Sequence, residues 1–199
     1  MDAETGSEQS NAISSPSRFA IYMVYFIEFI RIALTTAGYG ISYYYFVDSH
    51  FTKSETTMAS KVAESVRWLQ LGLSAGLSAP CALEGIFFAE AAAREKGYDR
   101  GFDYATGRNP YATQSTLWFL VSFIIGLITF FVYPRETPAQ LVLILLQLLF
   151  FTLSAFNHCY EALVHGNWVC ENTMRPILSF TMIMGAVPMV YEAFFGEPL

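Results

Sequence analysis

The sequence predicts an all-α fold, a polytopic membrane helix bundle with about five transmembrane helices, and three observations carry that reading. Hydrophobic residues make up 54% of the 199 positions and charged residues 14%, against about 25% charged in an average soluble domain. Leu117 to Tyr133 (LWFLVSFIIGLITFFVY) offers only Ser122, Gly126 and Thr129 as polar or small relief. These are scattered rather than striped, so a helix built from them has no face to show to water. Finally, five apolar segments recur along the chain, each near the roughly 20 residues that cross a bilayer.

Residues 1–17 (MDAETGSEQSNAISSPS) are rich in Ser and acidic residues and read as a disordered tail. They carry no basic start and short apolar core of a secretory leader, which leaves the first span to act as an uncleaved anchor. Residues 18–199 then form a single transmembrane helical domain. Its first segment runs from about Phe19 to Val47 and holds Glu28, Arg31 and a Gly38-Tyr39-Gly40 step. The rival reading makes this segment partly re-entrant around those glycines, leaving four spans. The second segment runs from about Trp68 to Ala93 with Pro80, Glu84 and Glu90 inside it. The third covers about Ser115 to Tyr133, the fourth Ala139 to Val164 and the fifth Pro176 to Phe195. Pro134 and Pro138 bracket a short turn, so the third and fourth should form an antiparallel hairpin.

The net charge of −6 brings no dense basic patch, which excludes a nucleic-acid partner. Cys81, Cys159 and Cys170 are three in number and show no CxxC spacing, so they make neither a disulfide framework nor a zinc site. No Asn-x-Ser/Thr acceptor is present to mark an outer face. With five spans, six cations (Arg18, Arg94, Lys96, Arg100, Arg108 and Arg175) fall on the N-terminal side and four (Lys53, Lys61, Arg67 and Arg135) on the other. The excess votes for a cytoplasmic N-terminus.

Function is expected where polarity enters the spans, because ionisable groups at membrane depth face a protein interior or a wet cavity. Leu141 to Phe156 is almost unbroken hydrocarbon. Ser154, Asn157, His158, Glu161 and His165 then follow at spacings that share one helix face. On the first segment Glu28, Arg31, Thr35, Gly38 and Ser42 make a similar stripe. On the second, Cys81, Glu84 and Phe88 share a face, and Gly72, Ala75, Gly76 and Ala79 offer a small-residue surface for close helix approach. Counting along antiparallel spans places Glu28, Arg31, Glu84, His158 and Glu161 in one slab of the bilayer, with Gln114 and Ser115 at its mouth. The connector Glu95–Thr113 would fold over it as a lid.

A carboxylate and an imidazole in a dry chamber suit proton transfer. The first functional expectation is therefore acid–base chemistry, isomerisation or cyclisation, on a lipophilic small molecule. Glu84 and His158 would be catalytic, and Glu28, Arg31, Asn157, Glu161 and Gln114 would bind substrate. The His158–Glu161–His165 run puts three potential ligands on one helix, an arrangement that rarely converges on one ion, so no metal site is assigned. No cofactor is specified, and the partner is the lipid bilayer. The alternative is a non-catalytic ligand-binding, transport-accessory or assembly protein; no inverted repeat or broken-helix pair is visible to favour a secondary transporter.

Four features occur in order between Ala82 and Val190: the stretch ALEGIFFAEAAA (Ala82 to Ala93), Asn109-Pro110-Tyr111 with Gln114, the pair Asn157-His158, and Gly166-Asn167 before the last span. In that order they resemble a family of small bacterial and archaeal membrane proteins, about four spans long and of uncharacterised function. Asn157 and Glu90 stand where that family more often has a Gly-His step and an acidic residue. The resemblance implies the membrane-bundle fold and a role for His158 and the Asn109–Gln114 turn, and no activity.

Overall fold

The computed structural model describes residues 16–96 and 109–196, and among these the regular structure is helical. Helix α1 spans Arg18–His50. Helix α2 (Glu55–Leu73) runs through a π-helical turn (Ser74–Ser78) into α3 (Ala79–Phe87), and α4 covers Ala89–Glu95. Then come α5 (Pro110–Phe131), α6 (Thr137–His165) and α7 (Cys170–Phe195). Four of these helices, or five when the bent pair Glu55–Phe87 and Ala89–Glu95 counts as one span, are long and apolar enough to cross a membrane. The chain is a multi-pass membrane bundle.

Local chemistry sets the ends. The Ser17 hydroxyl accepts the Ala20 amide at 3.2 Å and caps α1. Asn109 does the same for α5, its Oδ1 accepting the Ala112 amide at 3.3 Å; Pro110 follows as the first helical residue, where its missing N–H costs nothing. Helix α6 stops at Gly166, whose φ of 66° is left-handed. The α5–α6 connection is the short proline-bracketed turn expected.

The α2–π–α3 rod is the axis of the bundle and touches α1, α5, α6 and α7. Its Val66, Leu69, Leu73 and Leu77 meet Leu141, Ile144 and Leu148 of α6 and Ala186 and Met189 of α7 in the apolar core. Large apolar side chains cover the outside instead: Phe29, Ile32, Ile124, Leu153 and Phe180 are all exposed, the surface of a body solvated by hydrocarbon. Helices α1 and α2 approach until a Cβ on Gly38 would overlap the Cα of Gly72, and one on Gly76 would overlap Thr35. The predicted small-residue surface thus acts through Gly72 and Gly76, while Ala75 and Ala79 are only half-buried.

Helices α5 and α7 begin at Pro110 and Cys170, ahead of the expected Ser115 and Pro176, and the second segment differs more. The second segment begins at Glu55, because Glu55 to Arg67 carries charges that hide a helix from a hydropathy reading. It also breaks, bending by 107° at Phe88. The Gly38–Gly40 step lies in uninterrupted helix. The bend has a packing cause: Ala91, Ala92 and Ala93 of α4 are nearly fully buried, and Ala91 and Ala92 dock on Val24 of α1. Phe88 meets the Phe19 ring edge-on, with centroids 6.5 Å apart.

Candidate functional site

Calling the end where α1 starts the near end, α1, α3 and α4 bring charge together there. Helix α1 contributes Glu28 and Arg31, one turn apart and ion-paired. Helix α3 presents Glu84, 9% exposed, one turn before the bend, with its Oε2 3.9 Å from Arg31 Nη2. The bend then turns α4 back across the bundle and delivers Lys96, only 2% exposed, into the same space. Lys96 Nζ donates to Glu84 Oε2 at 2.5 Å and is ion-paired with Glu28 as well. One ammonium therefore bridges carboxylates from two spans. Arg175 of α7 approaches Glu28 at 4.0 Å, and Arg31 reaches Cys81 Sγ at 3.8 Å. Tyr25 pins the arm from outside by donating to Glu95 at 2.7 Å.

His158 belongs to a second network. It is buried on α6, and its Nδ1 lies 2.7 Å from Asn172 Oδ1 on α7. The Asn172 amide in turn donates to the Asn167 carbonyl at 2.8 Å, tying down the α6–α7 turn. Among the described residues the backbone neighbours of α6 are α2, α5 and α7. Helix α7 joins the networks, offering Asn172 to His158 and, one turn on, Arg175 to Glu28. Of the residues expected in one slab, Glu28, Arg31 and Glu84 approach one another, while His158 pairs with Asn172.

The remaining expected residues lie outside both networks or at their edge. Asn157 and Gln114 are exposed. Glu161 pairs loosely with His165, 3.9 Å away, and its backbone carbonyl caps the α6 end by accepting the Asn167 amide at 3.1 Å. Most of the Glu95–Thr113 connector, and with it the lid, lies outside the described residues, as does nearly all of the 1–17 tail. Among the described residues no three His, Cys, Asp or Glu side chains are grouped to hold a metal ion.

Comparison with family models, with curated proteins and with solved structures finds no match for this chain. The site is therefore read from its own chemistry.

Sequence reasoning missed Lys96 and Arg175, both counted as loop cations. Taking these two from six leaves four cations on each side, so the charge count favours neither orientation. The signal that would have found Lys96 is compositional. The run Ala89-Glu90-Ala91-Ala92-Ala93 is too small-sided to be a lipid-facing span end and suits close docking on another helix.

Proposed function

We propose that this multi-pass membrane protein is a non-catalytic binding protein of carrier or accessory type, whose near-end chamber receives the ammonium group of a lipophilic amine. Lys96 carries the reading. Its ammonium sits between Glu28 and Glu84, from two different spans, and is itself supplied by an arm folded back at Phe88. What holds the arm down also fills the site.

A buried ion network is weak support for stability alone, since apolar replacements of similar volume are often as stable or more so. Ionisable groups at membrane depth mark functional sites by default. A tethered ammonium competes at high effective concentration, so a free amine enters only when α4 lifts. The exposed Phe19, Tyr22 and Phe26 of α1 lie at the same end and suit the ligand's hydrocarbon tail. Acid–base catalysis by Glu84 with His158 has less support, because Glu84 is held by an ammonium and a guanidinium while His158 is engaged with Asn172.

The test is chemical rescue. Lys96→Ala in detergent is expected to melt earlier than wild type and to regain most of the loss with dodecylamine, but not with dodecanol. Lys96→Ala combined with Glu84→Gln should not be rescued. If dodecylamine and dodecanol act alike on Lys96→Ala, the chamber is a structural node and the amine reading is withdrawn.

A further inference from the structure

A second polar system runs through the middle of the bundle, away from the ion cluster. Gln70, Ser74 and Ser78 lie four residues apart on the inner face of the α2–π–α3 rod, and all are 0% exposed. Gln147 of α6, also 0% exposed, reaches across so that its Nε2 donates to Ser74 Oγ at 2.9 Å; Gln70 Nε2 donates to the same oxygen at 2.8 Å. One hydroxyl thus receives two amides. Helix α5 closes the side: a Cβ on Gly126 would overlap Ser74 and stand 2.8 Å from Gln70 Nε2.

The acceptors of this hub are left over. Gln70 Oε1, Gln147 Oε1, Ser78 Oγ and Thr35 Oγ1 are buried without a hydrogen-bond partner. Two turns toward the far end on α6, Gln140 Oε1 is orphaned as well, while its Nε2 donates to the Pro134 carbonyl at 3.2 Å. Turning either hub amide over only exchanges which of its atoms faces Ser74; the other is orphaned instead. Buried polar groups are nearly always satisfied by protein or ordered water, and a bound water or ion is one explanation of an exception. Every orphan here is neutral and most are acceptors. Their natural partner is a small donor, and water supplies two protons and accepts two. Hydrocarbon offers none.

The orphans are also ordered in space. They pass from Gln140 near the α5–α6 turn, through the Gln147–Ser74–Gln70 hub, to Ser78 and Thr35. Cys81 and Arg31, the next polar groups on those two helices, already belong to the ion cluster. The π-helical turn sits at the hub, and such turns are frequent at functional sites.

We infer that this line holds a file of ordered water, along which protons reach Glu84 from the far end of the bundle. Glu84 receives the proton facing Lys96 and Arg31, and Glu28, whose side chain is 29% exposed, passes it on to the near-end surface. The inference shares only the ion cluster with the amine reading, the water file itself using none of its residues, and either can fail alone.

The experiment is water-edited solid-state NMR on protein in phosphatidylcholine vesicles, with glutamine side-chain amides labelled. The sequence has five glutamines, Gln9, Gln70, Gln114, Gln140 and Gln147, so the spectrum is sparse. Gln70→Leu and Gln147→Leu assign the two hub peaks. The Gln70, Gln140 and Gln147 amides of wild type are expected to take up magnetisation from water as exposed Gln114 does. If the hub amides stay dark while Gln114 responds, the file does not exist. The proton role is read in the same vesicles with a trapped pH dye after an acid jump. Wild type should acidify the lumen faster than empty vesicles, and Gln147→Leu and Ser74→Ala should lose that excess. Hydrated amides with no excess acidification, or with an excess that both variants keep, would overturn the proton role.

Discussion

Lys96 shows how much one side chain decides when it is taken out of water beside opposite charges. Breaking a buried ion network by removing one partner costs about 3–5 kcal/mol, because the remaining charges stay buried. Lys96→Ala should lose stability of that order in detergent–SDS unfolding, and Lys96→Arg less, since it keeps the charge. The His158–Asn172 pair is a smaller case: a double-mutant cycle with Ala at both positions should give a coupling of about 0.6 kcal/mol, the mean for hydrogen bonds between membrane helices, and no more than about 1.7 kcal/mol. Coupling near zero would mean that His158 is held by other partners. The sequence made Glu28, Arg31 and Glu84 legible, because helical spacing and depth counting need only the spans. It hid Lys96, since nothing local marks a lysine just past an alanine run as buried.

At the scale of elements, the closeness of α1 and α2 rests on Gly38 and Gly72. A Cβ on Gly72 would stand 2.8 Å from the Cα of Gly38, a backbone atom that has no rotamer to yield. Gly72→Val should therefore cost about 3 kcal/mol, the upper end of overpacking penalties, and loosen the bundle before it abolishes insertion. A thermal melt in detergent checks the first part and membrane fractionation the second. Span positions were readable from hydropathy, and the small-residue seam from its four-residue spacing. The bend at Phe88 was not. Neither glycine nor proline stands there, and it is long-range docking of Ala91 and Ala92 on Val24 that turns the chain. The start of α2 was hidden for a related reason, since charged residues such as Lys61, paired with Asp48 at 2.7 Å, cover the far end of a helix that hydropathy alone discards.

The whole molecule departs from the usual distribution, with buried polar side chains beside the apolar core along its axis and large apolar ones outside. The two surfaces should answer substitution oppositely. Ile124, 46% exposed midway along α5, should accept Leu or Phe with little change. Ile124→Arg should raise the apparent cost of inserting that span by about 3–4 kcal/mol in a translocation assay. The all-α membrane class was the most legible property of all, because it depends on the sum of many apolar positions rather than on any one contact. Function lies at the opposite pole: it turns on which few polar groups meet, and those meetings are made by tertiary packing.

Helix α1, with its 33 residues, extends about 50 Å at 1.5 Å per residue, well beyond a hydrocarbon layer of about 30 Å. Its exposed tyrosines fall in two groups, Tyr22 with Tyr25 and Tyr43 with Tyr44. Their inner edges are 18 residues apart and their outer edges 22, or about 27–33 Å along a helix. Tyrosine rings settle at the headgroup level, so these pairs act as a ruler for bilayer thickness. A membrane a few ångströms thinner or thicker obliges α1 to tilt or the lipid to deform, each at a fraction of a kcal/mol per ångström. The protein should therefore partition toward membranes whose thickness matches that ruler.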